Sequence, residues 1–208
     1  MIGIENYYTF LFAGILLNLT PGADTIYIIS RSVAQGRKAG IASVLGISTG
    51  SIIHTTFAAL GLSMILARSA LAYEMVQYAG AGYLLYLGIK MFIYRSDTFL
   101  TQSQVNDGRL TEIYRQGVLT NVLNPKVALF FLSFLPQFVN PQYAKGPLPF
   151  LLLGLTFTMT GTIWCFIVAY SAASLTKRLR QNQMLLKIMQ KICGFVFICL
   201  GLQLAVRK

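Results

Sequence analysis

Between residues 7 and 29 the chain is apolar except for one interruption, where Asn18, Thr20, Pro21, Gly22 and Asp24 fall close together. A run of ~20 apolar residues is long enough to cross a bilayer as a helix. Proline lacks the backbone donor and clashes with the carbonyl four residues back, so a helix does not pass through it undisturbed. A carboxylate in hydrocarbon costs at least about 2.5 kcal/mol. In a membrane span, such a defect persists where it lines a polar cavity inside the protein. The interruption therefore predicts both a broken helix and a polar centre.

Composition supports the membrane premise. Of 208 residues, 55% are hydrophobic and 11% charged, whereas soluble domains carry about 25% charged residues. The mean hydropathy is +0.63. Six apolar blocks of roughly spanning length, ~20 residues each, lie near 7–29, 39–67, 71–94, 116–138, 148–175 and 188–206. The second is long enough to tilt or to extend into water. No segment has the length of a separate soluble domain, so 1–208 reads as a single transmembrane domain, all-α and integral to the membrane. The N-terminus carries Glu5 in place of a basic signal-peptide region, so the first block is expected to remain as a span.

The net charge of +11 is not a nucleic-acid patch, because the basic residues sit singly or in short clusters between apolar blocks. Eleven of them occupy the first, third and fifth connections: Arg31, Arg37, Lys38, Arg95, Arg109, Arg115, Lys177, Arg178, Arg180, Lys187 and Lys191. Four, Arg68, Lys145, Arg207 and Lys208, fall on the other side. The excess places the odd-numbered connections in the cytoplasm and both termini outside, in a multi-pass membrane protein. Lys90, within the third block, is expected to snorkel to the cytoplasmic interface.

No metal, cofactor or enzymatic chemistry is indicated. Cys165, Cys193 and Cys199 all lie in apolar segments without CxxC spacing and read as small packing residues. There is no HExxH, Gly-x-Ser-x-Gly, P-loop or strand-borne GxGxxG.

The two halves resemble each other. Gly14-x-x-x-Asn18-Leu-Thr-Pro21 matches Gly117-x-x-x-Asn121-Val-Leu-Asn-Pro125 with one inserted residue. Leu45-Gly46-Ile47-Ser48 matches Leu153-Gly154-Leu155-Thr156, and Gln77 before Leu87-Gly88 matches Gln190 before Leu200-Gly201. Three spans per half make the second half enter from the opposite face. The expectation is six transmembrane helices as two inverted-topology three-helix repeats, about 1–94 and 115–208, joined by a linker at 95–114. Spans 1 and 4 are broken at Pro21 and Pro125. Paired broken spans of this kind point to a substrate site.

Thr20-Pro21 and Asn124-Pro125 both read as an N-cap followed by proline at the first helical position. The free N–H groups and positive dipole end of each half-helix suit a carboxylate, with Gly22 in the first break. Asn18 and Asn121 are expected to bond the carbonyls that the breaks release. Asp24, about one turn into its half-helix, can pair with a substrate ammonium, carry a proton or do each in turn. Lys126 can hold a substrate carboxylate or neutralise Asp24; a structural Asp24–Lys126 ion pair and a plain proline kink are the competing readings. His54 continues the series Ala42, Gly46, Gly50 and lies on a small-residue face of span 2, as a proton relay or a packed histidine. Gly46-x-x-x-Gly50 serves packing within the protomer or a homodimer equally well. Glu74 reads as interfacial, Gln77 and Gln190 as cavity-lining or helix-bridging, and Tyr7 and Tyr8 as interfacial aromatics.

Thr20-Pro21-Gly22-Ala23-Asp24 resembles the Thr-Pro-Gly-Pro-Asp signature of the LysE/RhtB amino-acid efflux family. The similarity runs through Arg31-Ser-Val-Ala-Gln-Gly-Arg-Lys-Ala-Gly40, Tyr83-Leu-Leu-Tyr-Leu-Gly-Ile-Lys90 and Gly117-Val-Leu-Thr-Asn-Val-Leu-Asn-Pro-Lys126 to Phe138. It covers essentially the whole chain. The resemblance implies a secondary exporter of amino acids or related small zwitterionic metabolites in the bacterial inner (plasma) membrane, driven by the proton motive force. It also carries the family's acidic residue onto Asp24 and its Asn-Pro-Lys onto Asn124, Pro125 and Lys126. Ala23 departs from the signature and relaxes the first break. The expected partners are an amino acid, protons and lipid, with rocking of one repeat against the other as the cycle. A divalent-cation exporter is the rival reading, and it would need several converging intramembrane carboxylates where Asp24 stands alone.

Overall fold

The computed structural model describes residues 3–69, 109–140 and 146–181, with Gln142 and scattered positions between 71 and 89 and between 184 and 202. Expectations for Glu74, Gln77, Lys90, Gln190 and Cys193, and most of the third and sixth apolar blocks, lie outside the described residues.

Within them the protein is helical, and its only strand-like pairing is an isolated antiparallel bridge between Ile4 and Val139. Helix α1 covers Tyr7–Leu19 and ends where Thr20, constrained by the following proline, takes an extended conformation at φ −69°, ψ 118°. Helix α2 runs Ala23–Arg68 and contains one non-helical residue, Gly36, at φ 80°, ψ −173°. That region of backbone space is open essentially to glycine alone. α2 is thus two helical rods that meet at Gly36.

Helix α3, Leu110–Val122, starts with the Glu112 carboxylate accepting the Arg109 N–H at 3.2 Å. Helix α4, Pro125–Ser133, follows after two residues and passes into a 3₁₀ turn at Leu135–Phe138. Together α3 and α4 form a pair bent by 52° that is apolar and long enough to count as one broken span. Helix α5, Leu148–Gln181, closes the described bundle. By length and composition, Ala23–Ile65 and Leu148–Ala172 can cross a membrane, which with the bent pair makes three candidate spans among the described residues.

Small residues set how closely the helices approach. A Cβ added to Gly46 would lie 2.2 Å from the Tyr114 carbonyl oxygen, and one on Gly117 3.0 Å from that of Ser43. The backbones of α2 and α3 are therefore in direct contact. Both Gly46 and Gly50 face α3, so this GxxxG motif serves packing within the protomer. Across the other side of α2, a hydroxyl ladder joins α5. Ser48 bonds Thr162 and Ser51 bonds Thr158, each at 2.8 Å.

Two apolar clusters fill the bundle. One gathers Phe10, Phe130, Phe131, Phe134, Phe138 and Phe157 with aliphatic neighbours from α1, α2, α4 and α5. The other joins Ile28, Val44, Ile47, Val168 and Ala169. Asp24 and His54 fall between them along the chain: Leu17, then Asp24, then Ile28, and further along α2 Ile47, then His54, then Ala58.

Candidate substrate site at two facing helix breaks

A proline leaves the carbonyl four residues before it without its helical donor. For Pro21 that carbonyl belongs to Leu17, and for Pro125 to Asn121. The Leu17 oxygen accepts the Thr20 N–H at 3.1 Å and the Lys126 ammonium at 2.9 Å. The Asn121 oxygen accepts the Asn124 N–H at 3.0 Å and lies 3.2 Å from His54 Nε2. Lys126 also donates to the Thr20 carbonyl at 2.7 Å. It lies directly over Gly22, where an added Cβ would meet its Cδ and Nζ at 3.6 Å. The break at Pro21 and the start of α4 are thus in contact.

The two breaks differ in detail. Asn124 caps α4 as its sequence suggests, its Oδ1 accepting the Lys126 N–H at 3.1 Å with Pro125 at the first helical position. Thr20 does not cap α2. Its hydroxyl turns back to the Leu16 carbonyl at 2.8 Å, and it closes α1 instead. Gly22, in an extended conformation, is the N-cap, so α2 begins at Ala23 and Pro21 lies in the connection. Asp24 falls in the first turn of α2, where the helix dipole favours an anion. The Lys126 ammonium, unfavourable at the start of its own helix, reaches the negative C-terminal end of α1.

Asp24 is the centre of the arrangement. The Asn121 carboxamide donates from Nδ2 to Asp24 Oδ2 at 2.9 Å, and the Asn124 side chain approaches the same carboxylate. Lys126 and His54 lie within its electrostatic reach. Asp24 Oδ1 and Asn121 Oδ1 are buried acceptors with no hydrogen-bond partner among the described residues. His54 stacks on Phe131 with ring centroids 5.6 Å apart.

The sequence-derived site residues therefore converge, with one exception. Asn18 turns to α5, where its Nδ2 lies 3.3 Å from the Thr160 hydroxyl and it packs against Gly161. Neither Asn18 nor Asn121 uses its side chain on a released carbonyl as expected; Lys126 and His54 reach those carbonyls instead. Among the described residues, no group of three His, Cys, Asp or Glu side chains comes together, so a metal finds no donor set there.

Two features went unread in the sequence. Arg31, counted among the loop charges, is buried and donates to Gln116 Oε1 at 2.6 Å and to Gln35 Oε1 at 3.1 Å. The hydroxyl ladder is visible in retrospect as Ser48, Ser51 and Thr55 at helical spacing opposite Thr158 and Thr162.

Apolar spans, a bent helix pair and a buried polar centre define a helical membrane protein. The LysE type translocator family matches residues 15–208, and the chain belongs to that family. It is a membrane translocator, not a member of an enzyme family. It is 31% identical over 196 residues to the uncharacterized membrane protein YrhP of Bacillus subtilis, covering 90% of this chain and 92% of the relative. An uncharacterized membrane protein of Vibrio cholerae is 29% identical over 205 residues, 99% of this chain and 98% of its own. The uncharacterized membrane protein PA4757 of Pseudomonas aeruginosa is 27% identical over 208 residues, 98% of this chain and 96% of its own. No solved structure matches the chain.

Proposed function

We propose that this translocator is a secondary active exporter of amino acids or related small zwitterionic metabolites, driven by the proton motive force across the bacterial inner membrane. The observation that carries the proposal is the junction of two helix breaks that brings Asp24, Asn121, Asn124 and Lys126 together between two apolar clusters. A zwitterion needs an acceptor for its ammonium and donors for its carboxylate within a few ångströms. Asp24 Oδ1, buried and without a partner among the described residues, takes the ammonium. The N–H groups at the start of α2 take the carboxylate, and the Lys126 charge favours an anion beside Gly22.

Export requires the site to open to each side in turn. Asp24 exchanges the substrate ammonium for a proton arriving from outside, which gives the cycle its direction. Six spans arranged as two inverted repeats complete the proposed architecture. Its support is the register common to the breaks: Leu17, Thr20 and Pro21 make the same backbone arrangement as Asn121, Asn124 and Pro125.

The test is an efflux screen of the common amino acids from loaded proteoliposomes, with and without an imposed pH gradient. Gradient-stimulated efflux of at least one amino acid is expected. Retention of all of them under both conditions overturns the proposal.

A further inference from the structure

We infer that each proline break is closed by a side chain from the other half of the chain, with His54 as the counterpart of Lys126. His54 is then a positioning residue: it holds the Asn121 carbonyl and, through Asn121, orients the Asp24 carboxylate.

The parallel is atomic. At the first break, the Leu17 carbonyl has lost its donor to Pro21 and accepts Thr20 N–H and Lys126 Nζ, at 3.1 and 2.9 Å. At the second, the Asn121 carbonyl has lost its donor to Pro125 and meets Asn124 N–H and His54 Nε2, at 3.0 and 3.2 Å. Lys126 comes from α4 to serve α1, and His54 comes from α2 to serve α3. A carbonyl oxygen only accepts, so His54 Nε2 must carry the hydrogen, which fixes the ring tautomer. Stacking on Phe131, itself 1% exposed, fixes the ring plane.

Asn121 is held on three sides. His54 takes its backbone oxygen, Asp24 takes its Nδ2, and Gly50, one turn before His54, leaves no space beyond its Oδ1. A Cβ on Gly50 would lie 2.7 Å from that oxygen. Release of the carbonyl frees the last turn of α3 and with it the amide that orients Asp24. What the site needs from His54 is an N–H donor, and glutamine supplies one. Asp24 and Lys126, the charged groups that face this junction from the start of α2 and from α4, remain to carry the coupling proton.

The test uses the full chain in lipid bilayers. Asn121-Val122 is the sole Asn-Val pair and His54 the sole histidine in the sequence. Carbonyl-13C asparagine with 15N valine therefore isolates the Asn121 carbonyl, and 15N histidine isolates the imidazole. A protonated Nε2 correlated with the Asn121 carbonyl is expected in the wild type. His54→Phe should shift the carbonyl upfield and slow turnover about tenfold, the loss of roughly one hydrogen bond. His54→Gln should keep the carbonyl shift, the turnover within about twofold and the wild-type pH profile. An unprotonated Nε2 in the wild type overturns the inference without any variant having to fold. So does a His54→Gln protein that loses pH-gradient coupling, which would make His54 a proton carrier. The transport arm rests on the exporter proposal, whereas the spectroscopic arm stands if no amino acid is exported.

Discussion

The Asn121 carboxamide reaches Asp24 Oδ2 at 2.9 Å, so the last turn of α3 orients the one carboxylate at the start of α2. Asn121→Ala removes a hydrogen bond to a buried charged group, which contributes about 1.5–3 kcal/mol. Export should fall about ten- to hundredfold, measured as initial efflux rates from proteoliposomes at matched protein content.

Asp24→Asn keeps the size of the side chain and removes its charge and its titration. The variant should insert and remain monodisperse by size exclusion while export falls to background with or without a pH gradient. Wild-type efflux from this variant would remove Asp24 from the cycle.

Lys126→Met takes the ammonium from the Leu17 and Thr20 carbonyls and leaves two oxygens at the C-terminal end of α1 short of a donor. A loss of roughly 2 kcal/mol is expected, read as a lower thermal midpoint in detergent together with lost export. Lys126→Arg should recover part of the midpoint, since a guanidinium still donates.

Gly46→Ala and Gly61→Ala form a matched pair on α2. A Cβ at Gly46 drives into the Tyr114 carbonyl, and overpacking against backbone should cost about 1–3 kcal/mol or more. At Gly61 nothing lies within 4 Å, so alanine should hold or raise stability by up to about 1 kcal/mol through helix propensity. Equal midpoints for the two variants would contradict the close approach of α2 and α3.

Gly36→Ala meets no atom within 4 Å, yet its backbone sits at φ 80°, ψ −173°. The expected cost of about 1–3 kcal/mol is purely conformational. Chemical denaturation alongside Gly61→Ala separates this strain from ordinary glycine replacement.

Much of the site was legible because proline acts locally. Pro21 and Pro125 had to stop their helices, and Asn124 beside Pro125 capped α4 as its side chain dictates. Thr20 beside Pro21 could not be read the same way. A threonine hydroxyl serves the helix behind it as readily as the one ahead, and extended Gly22 delays the start of α2. Asn18 and Asn121 looked equivalent when counted from Gly14 and Gly117. Counted back from the prolines, Asn121 matches Leu17, and one residue is about 100° around a helix. Asn18 therefore faces α5 and Asn121 faces Asp24. Which side chain would reach each freed carbonyl depended on tertiary packing, which no local pattern in the chain encodes.

Where Gly46 and Gly117 let two main chains touch, neither α2 nor α3 can slide or roll over its neighbour without unseating a peptide oxygen. The contact rivets a rod from the first half of the polypeptide to one from the second. In the proposed export cycle, a change of access that keeps this contact pivots about that rivet, and the non-helical backbone at Thr20, Gly22 and Gly36 is where the rods can bend.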